Sequence, residues 1–256
     1  MELFDSHAHY NDEKFDNDRE EIIQKIYDLG VTTLVNAGYS LESSKKAIEI
    51  ANKHSFIYAT VGVSPNDIDN LNVDYIKQIE NMANEKKVVA IGEIGLDYYW
   101  NKENKEEQKK IFCEQIELAN KLNKPIVIHT REAVMDTLDI LKNKVEAKQK
   151  GVFHCCPLNP ELVKEALKLG FYISFAGPVT FKSSKNAEDV VKLVPLDKIL
   201  IETDSPYLSP EPVRGTRNDS RNVIHIAEKI ACIRGITLEE IANITFKNAK
   251  SIFKID

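Results

Sequence analysis

Eight short runs rich in β-branched residues, separated by amphipathic helical segments over 256 residues, predict one (β/α)8 TIM barrel domain spanning 1–256, with its active site at the C-terminal strand ends. Most of the runs are continuous apolar stretches rather than strict alternations, as expected of strands covered on both faces. Their starts fall roughly 20–37 residues apart, the spacing of strand–helix units, and about eight fit the length. No repeat, low-complexity tract or Pro/Gly-rich linker interrupts them. A doubly wound open sheet uses similar local elements, and periodicity alone leaves it open.

The elements follow in order. The first strand is predicted at Glu2–His7, and Arg19–Leu29 then places Ile22, Ile23, Ile26 and Leu29 on one helical face before Gly30, a residue suited to ending a helix. Strands two to four are read at Val31–Ala37, Phe56–Val63 and Val88–Glu93. Glu106–Leu122 repeats Ile111, Phe112, Gln115, Ala119 and Leu122 at helical spacing and stops before Pro125, which opens the fifth strand, Pro125–His129. Gly151–His154, Phe171–Phe175 and Ile199–Thr203 complete the set. Thr237-x-x-Glu240 forms a capping box at the head of the last helix, which carries Ile241, Ile244, Ala249, Ile252 and Phe253. The charged stretches 101–110 and 143–150 read as solvated loops or helix starts.

Composition narrows the function classes. Lys plus Arg at 34 against Asp plus Glu at 40 gives a net charge of −6, the wrong sign for holding nucleic acid by bulk positive charge, so a phosphate ligand must meet a local patch or metal ions. A hydrophobic share of 43% and charged share of 29% exclude a disordered tail and a collagen. Cys113, Cys155, Cys156 and Cys232 have no C-x-x-C pair and two are adjacent, a poor disulfide framework. The first residues lack a basic segment followed by an apolar one, and no uncharged apolar stretch is long enough to span a bilayer. A cytoplasmic, reduced chain is expected, with no membrane association and no obligate protein partner, acting as a monomer.

Six polar residues recur at or just beyond predicted strand ends: His7 and His9 on the first, Glu93 on the fourth, His129 on the fifth, His154 on the sixth and Asp204 on the eighth. In a barrel those ends open on one face, so residues far apart in sequence converge. His7 and His9 stand two apart and point the same way from an extended strand. Imidazoles suit zinc and similar borderline ions, and carboxylates widen the choice toward Mn2+ and Mg2+. Glu93 lies in Gly92-Glu93-Ile94-Gly95, where neighbours without side chains leave a carboxylate free to approach two ions. Asp97 reads as a simple turn acid. Asp204 follows a buried strand, where an unpaired carboxylate is costly and a nearby cation is the simplest compensation. His54 and His225 lie in helical contexts and read as structural.

The motifs Phe4-Asp5-Ser6-His7-Ala8-His9, Gly92-Glu93-Ile94-Gly95-Leu96-Asp97-Tyr98, Pro125-Ile126-Val127-Ile128-His129-Thr130-Arg131, Phe153-His154-Cys155 and Glu202-Thr203-Asp204-Ser205-Pro206-Tyr207-Leu208 closely resemble the TatD family of metal-dependent deoxyribonucleases. The resemblance runs end to end, including Pro212–Asn218. It implies two divalent ions per chain (Mg2+, Mn2+ or Zn2+), one held by His7, His9, Glu93 and Asp204, the other by Glu93, His129 and His154, with Glu93 bridging. It further implies a metal-activated water attacking DNA phosphodiesters, usually from a 3′ end, with single-stranded ends as substrate. Asp204, together with Glu93, is the catalytic candidate: Asp204 orients the nucleophile and takes its proton. Two segments depart from the family pattern. Ser64-Pro65 stands where relatives carry a His-Pro tied to substrate phosphate, which touches substrate handling and not the metals. Cys155-Cys156-Pro157 replaces a small-residue turn, and its carboxylate-rich surroundings argue against Cys155 as a soft ligand.

Metal-activated water serves phosphoesters and amides alike, so an amide or ester hydrolase of a small molecule is the alternative. Arg131, Lys182, Arg214, Arg217 and Arg221 follow strands five, seven and eight and are the candidate phosphate contacts, since Arg forks match phosphate oxygens. Tyr98, Tyr99 and Trp100 follow Glu93 and offer stacking surfaces for a base, Tyr98 being the one better suited to packing an outer loop. Tyr207 reads as loop packing.

Overall fold

A computed structural model describes residues 1–69, 71–146 and 150–256; residues 147–149 of the second charged stretch lie outside the described residues. Eight strands run in parallel in sequential order: β1 (Leu3–Ala8), β2 (Val31–Ala37), β3 (Ile57–Val61), β4 (Val88–Asp97), β5 (Ile126–Arg131), β6 (Gly151–Phe153), β7 (Tyr172–Phe175) and β8 (Ile199–Ile201). Between them run α1 (Arg19–Asp28), α2 (Leu41–Lys53), α3 (Tyr75–Ala83), α4 (Lys105–Leu122), α5 (Val134–Lys144), α6 (Pro160–Lys168) and α7 (Ala187–Leu193), and α8 (Val223–Arg234) and α9 (Leu238–Phe253) follow β8. This is a TIM barrel, and the open-sheet alternative falls away because β8 returns to β1. Across that seam Ser6 Oγ donates to the Ile201 carbonyl at 3.0 Å, and Asp5 accepts from the Thr203 amide at 3.0 Å. Beyond the strands, the Asp204 amide donates to the His7 carbonyl at 2.9 Å.

Two packed regions hold the barrel. Phe4, Val35, Val127, Val152 and Leu200 come from five strands and cluster with Ile252, Phe253 and Ile255, so the interior near the strand starts is filled and plugged by the C-terminal segment. The larger cluster lies between strands and helices and includes Ile22, Ile23 and Ile26 of α1 and Ile111, Phe112 and Ile116 of α4. Leu29, expected on the buried face of the first helix, is instead its C-cap and 65% exposed, because the chain turns away there through Gly30 at φ +98°. The capping box at Thr237 and Glu240 forms as read.

Helix α4 also does more than pack. Gln115 holds the exit of β3, accepting from the Val63 amide at 2.8 Å and donating to its carbonyl at 2.9 Å. One face along, Gln108 clasps Asp97 the same way, at 2.9 and 3.0 Å. Both side chains are buried, and each satisfies a backbone donor and acceptor that leave the sheet at the barrel mouth. Among the described residues no helix is long and apolar enough to cross a membrane.

Candidate metal centre

The strand ends bring His7, His9, Glu93, His129, His154 and Asp204 to one mouth. Three placements differ from the sequence reading in detail. β4 runs to Asp97, so Glu93 sits inside the strand at a register break between Ile91 and Ile94 rather than at its end. Asp204 lies three residues past β8 in a left-handed conformation, φ +55°, held by its amide bond to His7 and by Asn218, which donates to the Thr203 and Tyr207 carbonyls at 2.9 and 2.7 Å. Glycines 92 and 95 do not serve to uncrowd the carboxylate; a Cβ at Gly95 would stand 1.9 Å from the His129 carbonyl oxygen, so they let β4 and β5 approach each other.

The two oxygens of Glu93 face different partners. Oε2 lies 3.4 Å from His7 Nε2 and 3.6 Å from His9 Nε2. Oε1 lies 2.9 Å from His129 Nδ1 and 3.3 Å from His154 Nε2. Asp204 Oδ1 joins the first group, 3.3 Å from His9 Nε2 and 3.7 Å from His7 Nε2, and the two Nε2 atoms are 3.1 Å apart. Among the described residues His7, His9 and Asp204 form one group able to hold an ion, and Glu93, His129 and His154 another.

Behind these atoms three of the four imidazoles, those of His9, His129 and His154, are oriented by a partner. His9 Nδ1 donates to the Ala37 carbonyl at 3.0 Å, which leaves Nε2 as a lone pair facing the centre. His129 Nε2 lies 2.9 Å from Asp97 Oδ2, and His154 Nδ1 lies 3.3 Å from Glu202 Oε1. Asp97 and Glu202 are fully buried, and each orients one histidine by accepting its outward N–H. Glu202 also accepts from the Cys155 amide at 2.6 Å. Asp97 is the turn acid the sequence suggests, its Oδ1 accepting from the Tyr99 and Trp100 amides at 2.9 and 3.1 Å, but sequence reasoning missed that its Oδ2 meets His129, and Glu202 passed for part of an apolar strand.

The electrostatics follow from this crowding. Burial opposes charge on His154, but Glu93 and Glu202 outweigh it and hold the ring well above the ordinary imidazole range. His129 is pushed up to about 8 against burial by its bonds to Asp97 and Glu93. Burial would raise Glu93, yet His154 and His129 hold it well below the carboxylate range; Asp204 is also lowered, His9 outweighing burial there. His7 is lowered, by burial first and by His154 next. Burial, with Asp204 and Glu202 adding to it, pushes the Cys155 thiol well up, and among the described residues Cys155 joins none of the groups able to hold an ion.

The donor set fits divalent ions. Nitrogens of four imidazoles and oxygens of two ionised carboxylates converge at 2.9–3.7 Å, and an ion bound there would take the place of the protons that His129 and His154 hold toward Glu93. Donor atoms about 2.0–2.1 Å from a shared ion sit about 3.3 Å apart on a tetrahedron, the spacing found here. His7, His9, Glu93 and Asp204 would hold one ion, and Glu93, His129 and His154 a second.

The candidate phosphate contacts divide. Arg131 lines the central cavity of about 750 Å³ together with Trp100, its guanidinium 3.7 Å from the Tyr99 ring centroid. Arg214 lies 3.7 Å over the Phe181 ring, and Lys182 is exposed beside it; neither lines that cavity. Arg217 and Arg221 do not line it either, and their forks are paired: Arg217 with Asp18 at 2.5 and 2.9 Å, Arg221 with Asp219 at 2.7 and 2.8 Å. Tyr98 is buried with its hydroxyl donating to Asp136 at 2.7 Å, and Tyr207 donates to Asp12 at 2.7 Å while also lining the cavity. His225 pairs with Glu228 and His54 caps α2, both away from the centre.

A parallel barrel with histidines and carboxylates gathered at its C-terminal mouth defines a metal-dependent hydrolase. The sequence profile of the TatD related DNase family matches residues 4–254, and the chain belongs to that family. The uncharacterized metal-dependent hydrolase YabD of Bacillus subtilis (strain 168) is 43% identical over 254 residues, 99% of this chain and all of that one. The 3'-5' ssDNA/RNA exonuclease TatD of Shigella flexneri serotype 5b is 31% identical over 258 residues, with 99% of each chain covered. The crystal structure of YJJV, a TatD homolog from Escherichia coli K12, shares the fold at a TM-score of 0.93 and 24% identity, covering 99% of this chain and 98% of that one.

Proposed function

We propose that the chain hydrolyses phosphodiester bonds of DNA, working inward from single-stranded 3′ ends with two divalent ions. The observation that carries the reading is the division of Glu93, one oxygen toward His7 and His9 and the other toward His129 and His154, the layout of a bridging ligand. Ions held there supply Lewis acidity to a phosphoryl oxygen and lower the pKa of water toward about 7. Asp204, kept ionised by His9, orients the attacking water and takes its proton. Arg131 faces the cavity and contacts a phosphate oxygen, while Trp100, 68% exposed, stacks the terminal base. Ser64 Oγ is already bonded to Asp67 at 2.7 Å, so phosphate contact shifts from that position to Arg131. The four free cysteines suit a reducing, cytoplasmic compartment.

The test is cleavage of a labelled single strand with Mn2+ or Mg2+. Wild type is expected to shorten it stepwise from the 3′ end, and Asp204→Asn to lower kcat by about 10²–10⁴-fold, the usual worth of a general base. Equal rates for the two proteins reject the role of Asp204. The second reading, amide or ester hydrolysis, draws on Arg131 being the single cation lining the central cavity among the described residues. Activity on small esters or amides with none on oligonucleotides would favour it.

A further inference from the structure

Three cavities meet at the barrel mouth. The central one shares Cys155, Pro157 and Pro178 with a neighbour of about 500 Å³ between the loops after β6 and β7. It shares Asn66 and Trp100 with a third of about 400 Å³. The metal centre lies in the central cavity, and the other two flank it across these shared walls. These two arms carry opposite charge. The β6–β7 arm is lined by Ser183, Ser184 and Lys185 and by no carboxylate, with Lys182 and Arg214 exposed nearby. Among the described residues no carboxylate pairs with Lys182, Lys185 or Arg214. The other arm is lined by Asp69 and by no cation, and Asp67 lines the central cavity beside the shared Asn66. Asn186 donates to the Leu158 carbonyl at 3.3 Å across the β6–β7 arm and ties its walls together.

We propose that the β6–β7 arm is the track for the body of a single-stranded polynucleotide, with Lys185 on the phosphate next to the scissile one on its 5′ side. This rests on the nuclease reading above. A run of phosphates is repelled along the Asp69 arm and attracted along the other, and a chain of net charge −6 offers no general attraction to blur that choice. The uncharged face of a terminal base suits Trp100 at the opposite junction. The direction of the strand is thereby set: the retained chain lies toward Lys185 and the excised nucleotide toward Trp100.

The experiment compares kcat/KM of the Mn2+-loaded full chain for a single-stranded oligonucleotide and for bis(p-nitrophenyl) phosphate, which is too short to reach the arm. Lys185→Glu is expected to depress the oligonucleotide value relative to the small diester, mainly through KM, and Lys185→Arg to restore it. For Lys185→Gln the slope of log KM against log salt should fall by about 0.7, one single-strand phosphate contact. An unchanged ratio and slope in variants that still cleave the oligonucleotide overturn the track and leave the nuclease reading standing. Absence of oligonucleotide cleavage by wild type overturns both.

Discussion

At His129 the two ring nitrogens have separate tasks, and Asp97 decides which is which. By accepting the Nε2 proton at 2.9 Å, Asp97 turns the Nδ1 lone pair toward Glu93 and the centre. Asp97→Asn keeps the shape and removes the charge, and we expect a 10–100-fold loss in metal affinity or activity, measured by metal titration and turnover. The raised pKa of His129, about 8, has its own consequence. At pH 7 the metal-free ring is mostly protonated, and Nδ1 must shed that proton to bind an ion. Metal uptake should therefore release protons, roughly one to two per chain when His154 is included, and apparent affinity should rise with pH through the range near 8 where His129 loses its proton. Calorimetry in buffers of different ionisation enthalpy reads this directly; uptake without proton release would contradict it. His7, His9, His129 and His154 were legible in the sequence because each ends or follows an apolar run. Asp97 was not, since its role depends on β4 continuing four residues past Glu93 to lie opposite Arg131. Glu202 was hidden for a related reason: only the fold shows that it stands behind His154.

At the scale of elements, β4 and β5 form the joint on which the centre is built. Gly95 pairs with His129 in register, at φ +148°, with the next strand's backbone where its side chain would be. Gly95→Ala must therefore push the strands apart at a ligand. We expect a stability loss of about 3 kcal/mol in denaturant unfolding, with weakened metal binding beyond what the stability loss explains. Unchanged stability and metal affinity would show that the close approach is dispensable. Helix boundaries were easier to read than strand ends. Gly30, Pro125 and the Thr237 box act within a few residues of themselves, whereas strand length depends on partners supplied by distant sequence. Gln108 and Gln115 show the limit of pattern reading: they fall at helical spacing among apolar residues, and their backbone clasps exist only once β3 and β4 are in place.

At the scale of the molecule, closure of β8 onto β1 makes the six candidate ligands meet. They come from β1 and the residue after it, from β4 and β5, and from the segments just after β6 and β8, so the centre exists only in the closed barrel. The sequence showed the number of strand–helix units and the chemical kind of the residues at their ends, enough for both barrel and centre. It overestimated the cation funnel, because spacing does not reveal that Asp18 and Asp219 already occupy Arg217 and Arg221. The charge that remains free is divided between the arms of the mouth rather than spread around it.

Metal content tests the central claim most directly. After loading with Mn2+ and exhaustive dialysis, elemental analysis of wild type should approach two ions per chain, and Glu93→Gln should lose both sites together because it faces both donor groups. No retained metal in wild type, or a Glu93→Gln variant that binds as wild type does, would contradict a centre organised around Glu93.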